Sequence, residues 1–474
     1  MKELVHEGLV MPADAAASPY LYLPVEVFEG ITRIDVRLEH DPGSVIDLGL
    51  LDPRATGFPS RSGFRGWSGG ARDRIFVASD DATPGYIPGP IPAGTWHVVL
   101  GLYRIRPEGC RYRVEAVLDD SPRQTIPPAP AQPSFPVAPG WYPGDLQSHT
   151  WHSDAKGSLE DLVAAARSRG LRFLAVTDHN TISHHRYLAS ASSAELFLLP
   201  GEEVTTDRGH ANVWGGRDWV DFRITEDDQV NTVVQRAHEL GGLISINHPK
   251  PGGPDWRYPV PAGVDCVEAW QAPWPAGNET SLEFYDRMLG SGARPVLVGG
   301  SDRHQPGWPD TDPPYLQVGS PTTWLWLEEL SVPACLAALK SGRVFVSESP
   351  EGPRLELWLE GVAMGGTLQV DGAFPEGAFA DRAAPGAEAA GPAGGNVAAT
   401  ASLRIESHEP VLLRLMGRSG ELVRRRLPAG KQSVELELPL AEAGPFMRAE
   451  LWDAEENRVV ALSNPVFIQP QPAR

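Results

Sequence analysis

The sequence is poor in cysteine, in long apolar runs and in positive charge. Its three cysteines, Cys110, Cys266 and Cys335, lie far apart and form no Cys-x-x-Cys pair, which excludes a disulfide framework and a thiolate zinc site. No apolar run approaches the length of a membrane span, and the first eight residues lack the apolar core of a signal peptide. We therefore expect a cytoplasmic protein with no membrane partner.

Acidic residues outnumber basic ones. Against 61 Asp and Glu there are 41 Lys and Arg, which gives a formal net charge of −20 at pH 7. Binding of nucleic acid needs clustered Lys and Arg to displace counterions, so we expect no nucleic-acid partner. Hydrophobic residues make up 41% of the 474 positions, which is enough to build several buried cores. The expected partner is a small-molecule substrate.

The periodicity of apolar residues divides the chain into domains. Residues 1–120 and 351–474 alternate with period two, which predicts two β-sandwich domains, and an Ala, Gly and Pro-rich stretch near 372–395 predicts a flexible loop in the second. Residues 121–143 contain eight prolines and predict a semi-rigid linker. Residues 144–350 alternate strand and helix patterns, which predicts an α/β domain with a parallel sheet or barrel.

Short apolar runs in the α/β region end abruptly in histidine or carboxylate residues. The runs 171–176, 196–200, 243–246 and 295–298 all do so, as does the segment that begins at Gly144. A β/α barrel brings the carboxyl ends of its strands onto one rim, so these side chains should converge. Mixed imidazole and carboxylate ligands suit Zn, Mn or Fe in hydrolytic centres. The pattern therefore predicts a metal site.

Six motifs carry these residues, in the order Gly-Asp-Leu-x-x-His149-Thr-x-x-Ser-Asp154, Thr-Asp178-His179-Asn-Thr, Gly-Glu-Glu203, Gly-His210, Asn-His248-Pro and Gly-Ser-Asp302-x-His304. Together they resemble the polymerase and histidinol phosphatase (PHP) family and, more narrowly, its CehA/McbA-type metallohydrolases. The resemblance implies a distorted (β/α)7 barrel, flanked here by the two β-sandwiches, with divalent metals at the rim. By position it implies these metal ligands: His149, Asp154, His179, Glu203, His248, Asp302 and His304.

Gln147 departs from the family pattern, because the resemblance places a histidine at this position. A neutral amide is a weak ligand, so Gln147 marks a metal position that is weakened, replaced or empty. We therefore expect one to three divalent ions per chain, with one or two favoured. His152 is a candidate substitute for the missing histidine, and a solvated position is the alternative.

Further candidates surround the ligands. Asp302 and His304 are two residues apart, so on one strand their side chains would point to the same face. The remaining candidates divide into two groups. For catalysis they are His210 as proton donor or additional ligand, Asp178 as a partner that orients an imidazole, Glu268 as a base or a partner of a ligand, and His152. For substrate binding they are Lys250 and Arg303, which could hold an anionic oxygen, and Trp214 and Trp270, which could line an aromatic pocket or belong to the core.

These observations favour a metal-dependent hydrolase that uses a metal-activated water. The resemblance favours a phosphoesterase. The richness in tryptophan and the similarity to CehA favour the alternative, a carbamate, ester or amide hydrolase. A third interpretation is a catalytically degenerate metal-binding or carbohydrate-binding protein, which the glutamine at position 147 would mark.

Overall fold

A computed structural model of the chain describes residues 2–252, 254–305, 317–370, 398–453, 455 and 458–471. Strands account for 45% of the structure and helices for 15%, so sheets dominate a mixed fold. Among the described helices, none combines the length and the apolar character that crossing a membrane requires. The loop predicted near 372–395 lies outside the described residues.

The N-terminal region consists of two four-stranded antiparallel sheets that share one apolar core. Its elements are β1 (Lys2–Val10), α1 (Pro12–Ala17), β2 (Tyr20–Val27), β3 (Arg33–His40), β4 (Val45–Leu51), β5 (Phe64–Trp67), β6 (Arg74–Ala78), β7 (Gly94–Arg104) and β8 (Cys110–Asp119). The strand orders are β1-β8-β3-β6 and β2-β7-β4-β5. Alternate residues such as Val25, Val36, Leu48 and Val98 point into the shared core because successive side chains of a strand face opposite sides.

The segment predicted as a linker has two parts. Residues 120–134 contain no helix or strand, whereas a strand, β9, begins at Phe135 and runs to Asp145. This strand contains Pro136, Pro139 and Pro143, which lack an N–H group. One neighbouring strand pairs with β9 along most of its length, whereas the strand on the other side pairs only with Gly144 and Asp145. The proline-containing part of β9 therefore has one edge without strand pairing, where a missing N–H group is tolerated.

The middle region alternates strands with helices and short loops. After β9 its elements are α2 (Leu159–Ser168), β10 (Phe173–Val176), α3 (His185–Ala191), β11 (Phe197–Thr206), β12 (Gly209–Trp214), α4 (Val230–Glu239), β13 (Leu243–Asn247), β14 (Cys266–Gln271), α5 (Asn278–Gly290), β15 (Val296–Gly300), β16 (Thr322–Leu330), α6 (Val332–Ser341) and β17 (Val344–Ser347). Helix α2 starts at the capping box that Ser158 and Asp161 form, and it buries the predicted stripe of apolar residues.

Seven strands of this region are neighbours in the order β9-β10-β11-β12-β13-β14-β15. They run parallel except for β12, which is antiparallel to both of its neighbours. Beyond the ends of the first and last strands, the N–H of Asp302 donates to the carbonyl of Gln147, and the N–H of His149 donates to the carbonyl of Arg303, each at 3.0 Å. The carboxyl ends of the two outer strands are thereby joined, and the strand ends face a common centre.

The C-terminal region continues the same sheet. Its elements are β18 (Arg354–Leu359), β19 (Val362–Ala363), β20 (Thr367–Val370), β21 (Ala398–Ser407), β22 (Val411–Gly417), β23 (Gly420–Leu427), β24 (Gly430–Pro439), α7 (Leu440–Ala443), β25 (Phe446–Asp453), β26 (Val459–Ser463) and β27 (Val466–Pro470). Strand β17 pairs with β26, so one sheet runs from the middle region through β26, β25, β22 and β23. A four-stranded sheet, β19-β18-β21-β24, shares an apolar core with it.

Candidate metal centre

Histidine and carboxylate side chains from several strand ends surround Glu203, which lies in β11 and is completely buried. Its Oε2 atom lies 3.5 Å from His149 Nε2 and 2.9 Å from His179 Nδ1. Its Oε1 atom lies 3.2 Å from His210 Nδ1 and 3.4 Å from His248 Nε2. Strand β12 runs against its neighbours, so its first residues, including His210, reach the same rim as the carboxyl ends of the other strands.

Two more carboxylates and a further histidine complete the cluster. Asp302 Oδ1 lies 2.9 Å from His149 Nε2. Asp154 Oδ1 lies 3.4 Å from His304 Nε2 and 3.6 Å from His179 Nε2. Nitrogen and oxygen atoms of three overlapping triads approach within 4.8 Å of one another, namely His149, His179 and His304; His179, Glu203 and His210; and His149, Glu203 and Asp302. The structure thus brings together the seven side chains that the resemblance implies as ligands, and adds His210.

The backbone at several strand ends adopts the left-handed conformation. Asn180, His248, Ala272 and Asp302 have φ values of 55°, 29°, 59° and 55°. Residues other than glycine rarely adopt such values, and surrounding contacts must hold them there.

This geometry corrects the argument that places Asp302 and His304 on one strand. Strand β15 ends at Gly300, so both residues lie beyond it. They converge because the left-handed turn at Asp302 brings its Oδ1 atom to 3.5 Å from His304 Nδ1.

Several buried atoms of the cluster have no partner in hydrogen-bond geometry among the described residues, although some lie close to a group of opposite charge. They are both ring nitrogens of His149, Glu203 Oε2, Asp302 Oδ1, Gln147 Oε1 and Asn247 Oδ1. Buried polar atoms are normally satisfied, so this concentration points to a missing partner.

The rings of His179 and His304 point toward a common position between them. Their Nε2 atoms face each other at 3.2 Å, although His304 Nδ1 lies 2.8 Å from the carbonyl of Asp302 and carries the ring hydrogen there. Two ligand nitrogens that face a common point, beside carboxylate oxygens, fit a divalent ion such as Zn, Mn or Fe.

The charged groups shift one another's pKa. Burial alone would raise the pKa of Glu203, but His210 and His179 outweigh burial and hold it well below its ordinary value. Burial alone would lower the pKa of His179, but Glu203 and Asp154 raise it to about 10. Glu203 and Asp154 therefore favour the protonated, positively charged form of His179. A divalent ion would bring charge of the same sign to these carboxylates.

Gln147 is completely buried beside Glu203. Its Nε2 group donates to Glu203 Oε1 at 2.9 Å, and Asn247 Nδ2 donates to the same oxygen at 2.9 Å. Gln147 therefore serves as a hydrogen-bond donor to Glu203. Asn247 was not among the predicted site residues, although it lies at the end of β13, directly before His248, in the kind of position that indicated the others.

Three further contacts position the cluster. Thr205 Oγ1 lies 2.6 Å from His179 Nδ1, and Gln271 Nε2 donates to Asp302 Oδ2 at 2.9 Å. Glu268 Oε2 accepts the N–H of His248 at 3.1 Å, and burial, followed by the charge of Asp302, raises the pKa of Glu268 well above its ordinary value. Thr205 and Gln271 were missed, but period-two spacing from Glu203 and the end of β14 would have indicated them.

Two predicted catalytic residues contact other groups than expected. Asp178 Oδ1 accepts hydrogen bonds from Thr150 N at 2.8 Å and from Ser153 Oγ at 2.7 Å, so it fixes the loop that leads to Asp154. The imidazole beside it is that of His184, 3.1 Å away, which is not among the expected ligands. His152 is buried with its Nδ1 atom 2.8 Å from Ser183 Oγ, so its ring does not occupy the position of the missing histidine.

The predicted substrate-binding tryptophans lie in the core. Trp214 and Trp270 are each 1% exposed, so a substrate cannot reach either indole. Their N–H groups donate to the carbonyls of Leu146 and Ala272. Buried indoles usually take such partners, which explains why these two pack against the sheet.

The two predicted basic residues also have structural contacts. Lys250 Nζ donates to the carbonyl of Gln271 and to Asn278 Oδ1, both at 2.9 Å, and burial lowers its pKa to about 8. Arg303 Nε donates to the carbonyl of Gln305, while the residue lines a small cavity together with His149 and His304. Arg303 lies beside His149 and His304, whereas Lys250 lies near Glu268 and Asp302 with its Nζ atom held by these structural contacts.

A cleft of about 540 Å³ opens from the cluster toward the N-terminal region. Asp154, His179 and His210 line one end, and Tyr20 and Trp67 line the other. The sequence analysis assigned no site residue to the N-terminal region, so this wall of the cleft was missed.

Comparison with known protein families agrees with this geometry. The family model for the PHP domain matches residues 145–256. The chain contains a PHP domain. The matched range includes the residues from Gln147 to His248, while Asp302 and His304 lie beyond it.

One solved structure resembles the chain weakly. It is the crystal structure of a two-domain protein from Bacteroides vulgatus, described as containing a predicted PHP-like metal-dependent phosphoesterase. The sequences are 14% identical, and the match covers 72% of this chain and 100% of that one with a TM-score of 0.38. No curated protein matches the chain.

Proposed function

We propose that this PHP protein is a metal-dependent hydrolase whose reaction centre is the cluster around Glu203. The observation that carries the proposal is the convergence of buried imidazole and carboxylate atoms, several of which have no hydrogen bond to a described residue. One or two ions of Zn, Mn or Fe are the proposed cofactors. The proposed ligands are His149, Asp154, His179, Glu203, His248, Asp302 and His304.

A divalent ion in such a centre lowers the pKa of water and polarises the scissile oxygen. The protein's own residues hold the ligands in place: Gln147 and Asn247 donate to Glu203, and Gln271 donates to Asp302. His210 lines the cleft with its Nδ1 atom toward Glu203, so its Nε2 atom is the proposed carrier of the proton for the leaving group.

A phosphoester is the proposed substrate class, since the PHP match favours it. Arg303, beside His149 and His304, is the proposed contact for an anionic oxygen.

The second candidate is a carbamate, ester or amide hydrolase of the CehA/McbA type. It is favoured by the cleft, whose described lining residues include Asp47, Asp154 and Asp207 and no lysine or arginine. A neutral substrate meets less repulsion there than a doubly charged phosphate does.

The flanking regions enter the proposal as accessory domains. The seven neighbouring strands and the bonds that join β9 to β15 support the distorted (β/α)7 barrel within residues 144–350. Pairs of sheets with a shared core support β-sandwiches within 1–120 and 351–474. A cytoplasmic location remains part of the proposal on the grounds given by the sequence.

The test compares substrates on the metal-loaded full chain. We expect elemental analysis to find one or two ions per chain, and hydrolysis of p-nitrophenyl phosphate to exceed that of 1-naphthyl N-methylcarbamate. Glu203→Gln should lower metal content and slow hydrolysis at least about 100-fold, because even the loss of a group that only hydrogen-bonds a metal ligand costs about 10- to 100-fold.

Glu202→Gln is the matched control. Glu202 is also buried, burial raises its pKa well above the ordinary value, and its Oε2 atom accepts the N–H of Val220, a bond that the amide oxygen of glutamine can keep. Metal content and turnover should stay unchanged. Faster hydrolysis of the carbamate would select the second candidate, and bound metal without turnover of either compound would indicate a catalytically degenerate protein.

Gln147→His tests the number of ions. The imidazole would restore a strong nitrogen donor where the amide now donates to Glu203. We expect added metal by elemental analysis, and phosphatase turnover that rises relative to carbamate turnover. An unchanged count, with three ions already bound to the parent protein, would contradict this prediction.

A further inference from the structure

One face of the sheet β2-β7-β4-β5 turns away from the N-terminal core and toward the cleft. Tyr20 and Asp47 both pair with Gly101, so the three residues form one row across β2, β7 and β4. Gly49, two residues after Asp47, pairs with Trp67 of β5 in the next row. Because side chains alternate along a strand, these residues share the face that the N-terminal core does not use.

The two glycines of this face make room for the indole of Trp67. A Cβ atom at Gly49 would lie 2.4 Å from Trp67 Cε3, and one at Gly101 would lie 2.9 Å from Trp67 Cη2. The same atom at Gly101 would lie 3.0 Å from Asp47 Oδ2. The indole therefore lies across two strands, and its edge is next to the carboxylate of Asp47.

Three aromatic rings stand together beside this carboxylate, and we call them the aromatic wall: Tyr20, Trp67 and Phe222. Their centroids are 4.7 to 6.3 Å apart in edge-to-face contacts. Phe222 comes from the middle region, so the wall spans both regions. All three residues line the cleft, but Trp67 and Phe222 are only 5% and 2% exposed, so a ligand would meet the half-buried Tyr20 and Tyr103, which also lines the cleft and is 59% exposed.

Asp47 is a carboxylate without a counter-ion. Within the described parts of the chain, no hydrogen bond or ion pair involves its side chain, and burial alone raises its pKa to about 7. Asp52, which follows the end of β4 and is 1% exposed, instead has Arg54 at 2.5 Å and Arg65 at 3.7 Å. Asp52 is thus paired with basic side chains, whereas Asp47 lines the cleft with no basic partner among the described residues.

We propose that the cleft binds an alkylammonium group of the substrate beside Asp47, in contact with the accessible rings of Tyr20 and Tyr103. Aromatic faces attract cations, and a carboxylate at their edge adds an ion pair. Asp154 and Asp207, which also line the cleft, add negative potential of the same sign. A volume of about 540 Å³ leaves room for a ligand whose scissile bond reaches the metal centre. Calling this ligand the substrate rests on the proposed hydrolase function.

The test measures binding, so it does not depend on turnover. Two probes of nearly equal shape are titrated calorimetrically into the metal-loaded full chain: 4-hydroxyphenyltrimethylammonium and its neutral analogue 4-tert-butylphenol. We expect the cation to bind about tenfold more tightly, as the magnitude of a cation–π contact with an ion pair implies. Asp47→Asn should remove about this factor for the cation and leave the neutral probe unchanged.

Asp120→Asn is the matched control, because Asp120 is exposed beyond the end of β8 and the same charge is removed away from the cleft. Tyr103→Leu is a second variant at an exposed position and should weaken the cation about threefold. Equal affinities of the parent protein for the two probes would overturn the proposal, and so would an equal loss for both probes in Asp47→Asn.

The two proposals fail separately. If the metal-loaded protein hydrolyses no ester but prefers the cationic probe, the hydrolase function is wrong and the cation site stands. If it hydrolyses esters and shows no preference, the cation site is wrong and the hydrolase function stands.

Discussion

The two β regions that flank the middle region are attached to it in different ways. The C-terminal region is joined through backbone pairing, since β17 and β26 are neighbours in one sheet. The N-terminal region is joined through side chains, such as Phe64 stacked on Trp219 at 4.3 Å between ring centroids. Backbone pairing uses up strand edges, whereas side-chain packing leaves a sheet face for other purposes.

This difference decides which region shapes the site. The cleft takes Tyr20, Asp47 and Trp67 from the N-terminal region, and none of the described residues after 350 lines it. Two regions with the same alternating sequence pattern therefore have different roles: one extends the sheet of the middle region and the other supplies a wall of its cleft.

The largest expected effect is a loss of stability at the junction between the middle region and the C-terminal region. Asn464 is 1% exposed, accepts a hydrogen bond from Leu297 N at 2.7 Å and donates to the carbonyls of Leu297 and Val344, each at 2.9 Å. Asn464→Leu leaves these backbone groups unpaired and should lower the free energy of unfolding by about 3 kcal/mol. Urea denaturation measures the loss.

The exposed Gln469 provides the control for this change. Gln469→Leu should alter stability by less than about 0.5 kcal/mol, as surface substitutions usually do. A loss below about 1 kcal/mol in Asn464→Leu would show that the junction with β26 contributes little to the free energy of unfolding.

An intermediate effect should appear where the N-terminal region touches the site. Arg72 donates to the carbonyls of Trp151 and Ser153, the latter at 2.9 Å, and so holds the loop that ends at Asp154. Arg72→Met keeps the length of the side chain and removes both bonds. We expect kcat of the metal-loaded protein to fall about tenfold, because misplacing a ligand of the centre affects the reaction directly.

Arg61 provides the matched control. It also links the N-terminal region to the middle region, through Glu239, but its side chain is 65% exposed and lies away from the cleft. Arg61→Met should leave kcat unchanged and alter stability by at most about 1 kcal/mol. Equal losses of kcat in the two variants would mean that kcat depends on contacts anywhere in this interface. The position of the loop before Asp154 would then not be the specific cause.

The smallest effect concerns Asp47 and depends on pH. Its pKa is raised from 3.8 to about 7 by burial, and the groups that face it, Tyr20 and Tyr86, are neutral in this range. Between these values the unfolded chain releases the proton while the folded protein keeps it, so stability falls as pH rises from about 4 to 7. Asp47→Asn should therefore raise Tm by about 2 to 5 °C at pH 8 and leave it unchanged at pH 4.

Thermal unfolding at the two pH values measures this difference, and Asp120→Asn should show none. A lower Tm of Asp47→Asn at pH 8 would mean that the carboxylate is already paired, which would also weaken the case for a cation site.

The sequence indicates the cluster well because the evidence for each ligand is local. His179, Glu203 and His248 each follow or end a short apolar run, and the geometry of adjacent strands is enough to bring them to one rim. Gln147 stands out for the same reason, since a single residue departs from a local pattern.

Features that depend on backbone conformation or on long-range packing could not be predicted from local sequence patterns. The strand argument for Asp302 and His304 fails because alternation says nothing about a left-handed turn. Trp214 and Trp270 were candidates for a pocket because aromatic composition does not distinguish a cleft from a core. The one sequence signal for the N-terminal wall was Gly49 and Gly101 inside strands, where glycine often marks a close approach.

The pairing of β17 with β26 also bears on the order in which the protein can be assembled during synthesis. Residues 344–347 leave the ribosome more than a hundred residues before residues 459–463, which complete the sheet beside them. During that interval β17 presents a free edge to other nascent chains, and such edges invite pairing and aggregation. Slowing translation between the two strands should therefore increase aggregation of the newly made protein, even though the residues of the metal centre have all been synthesised by then.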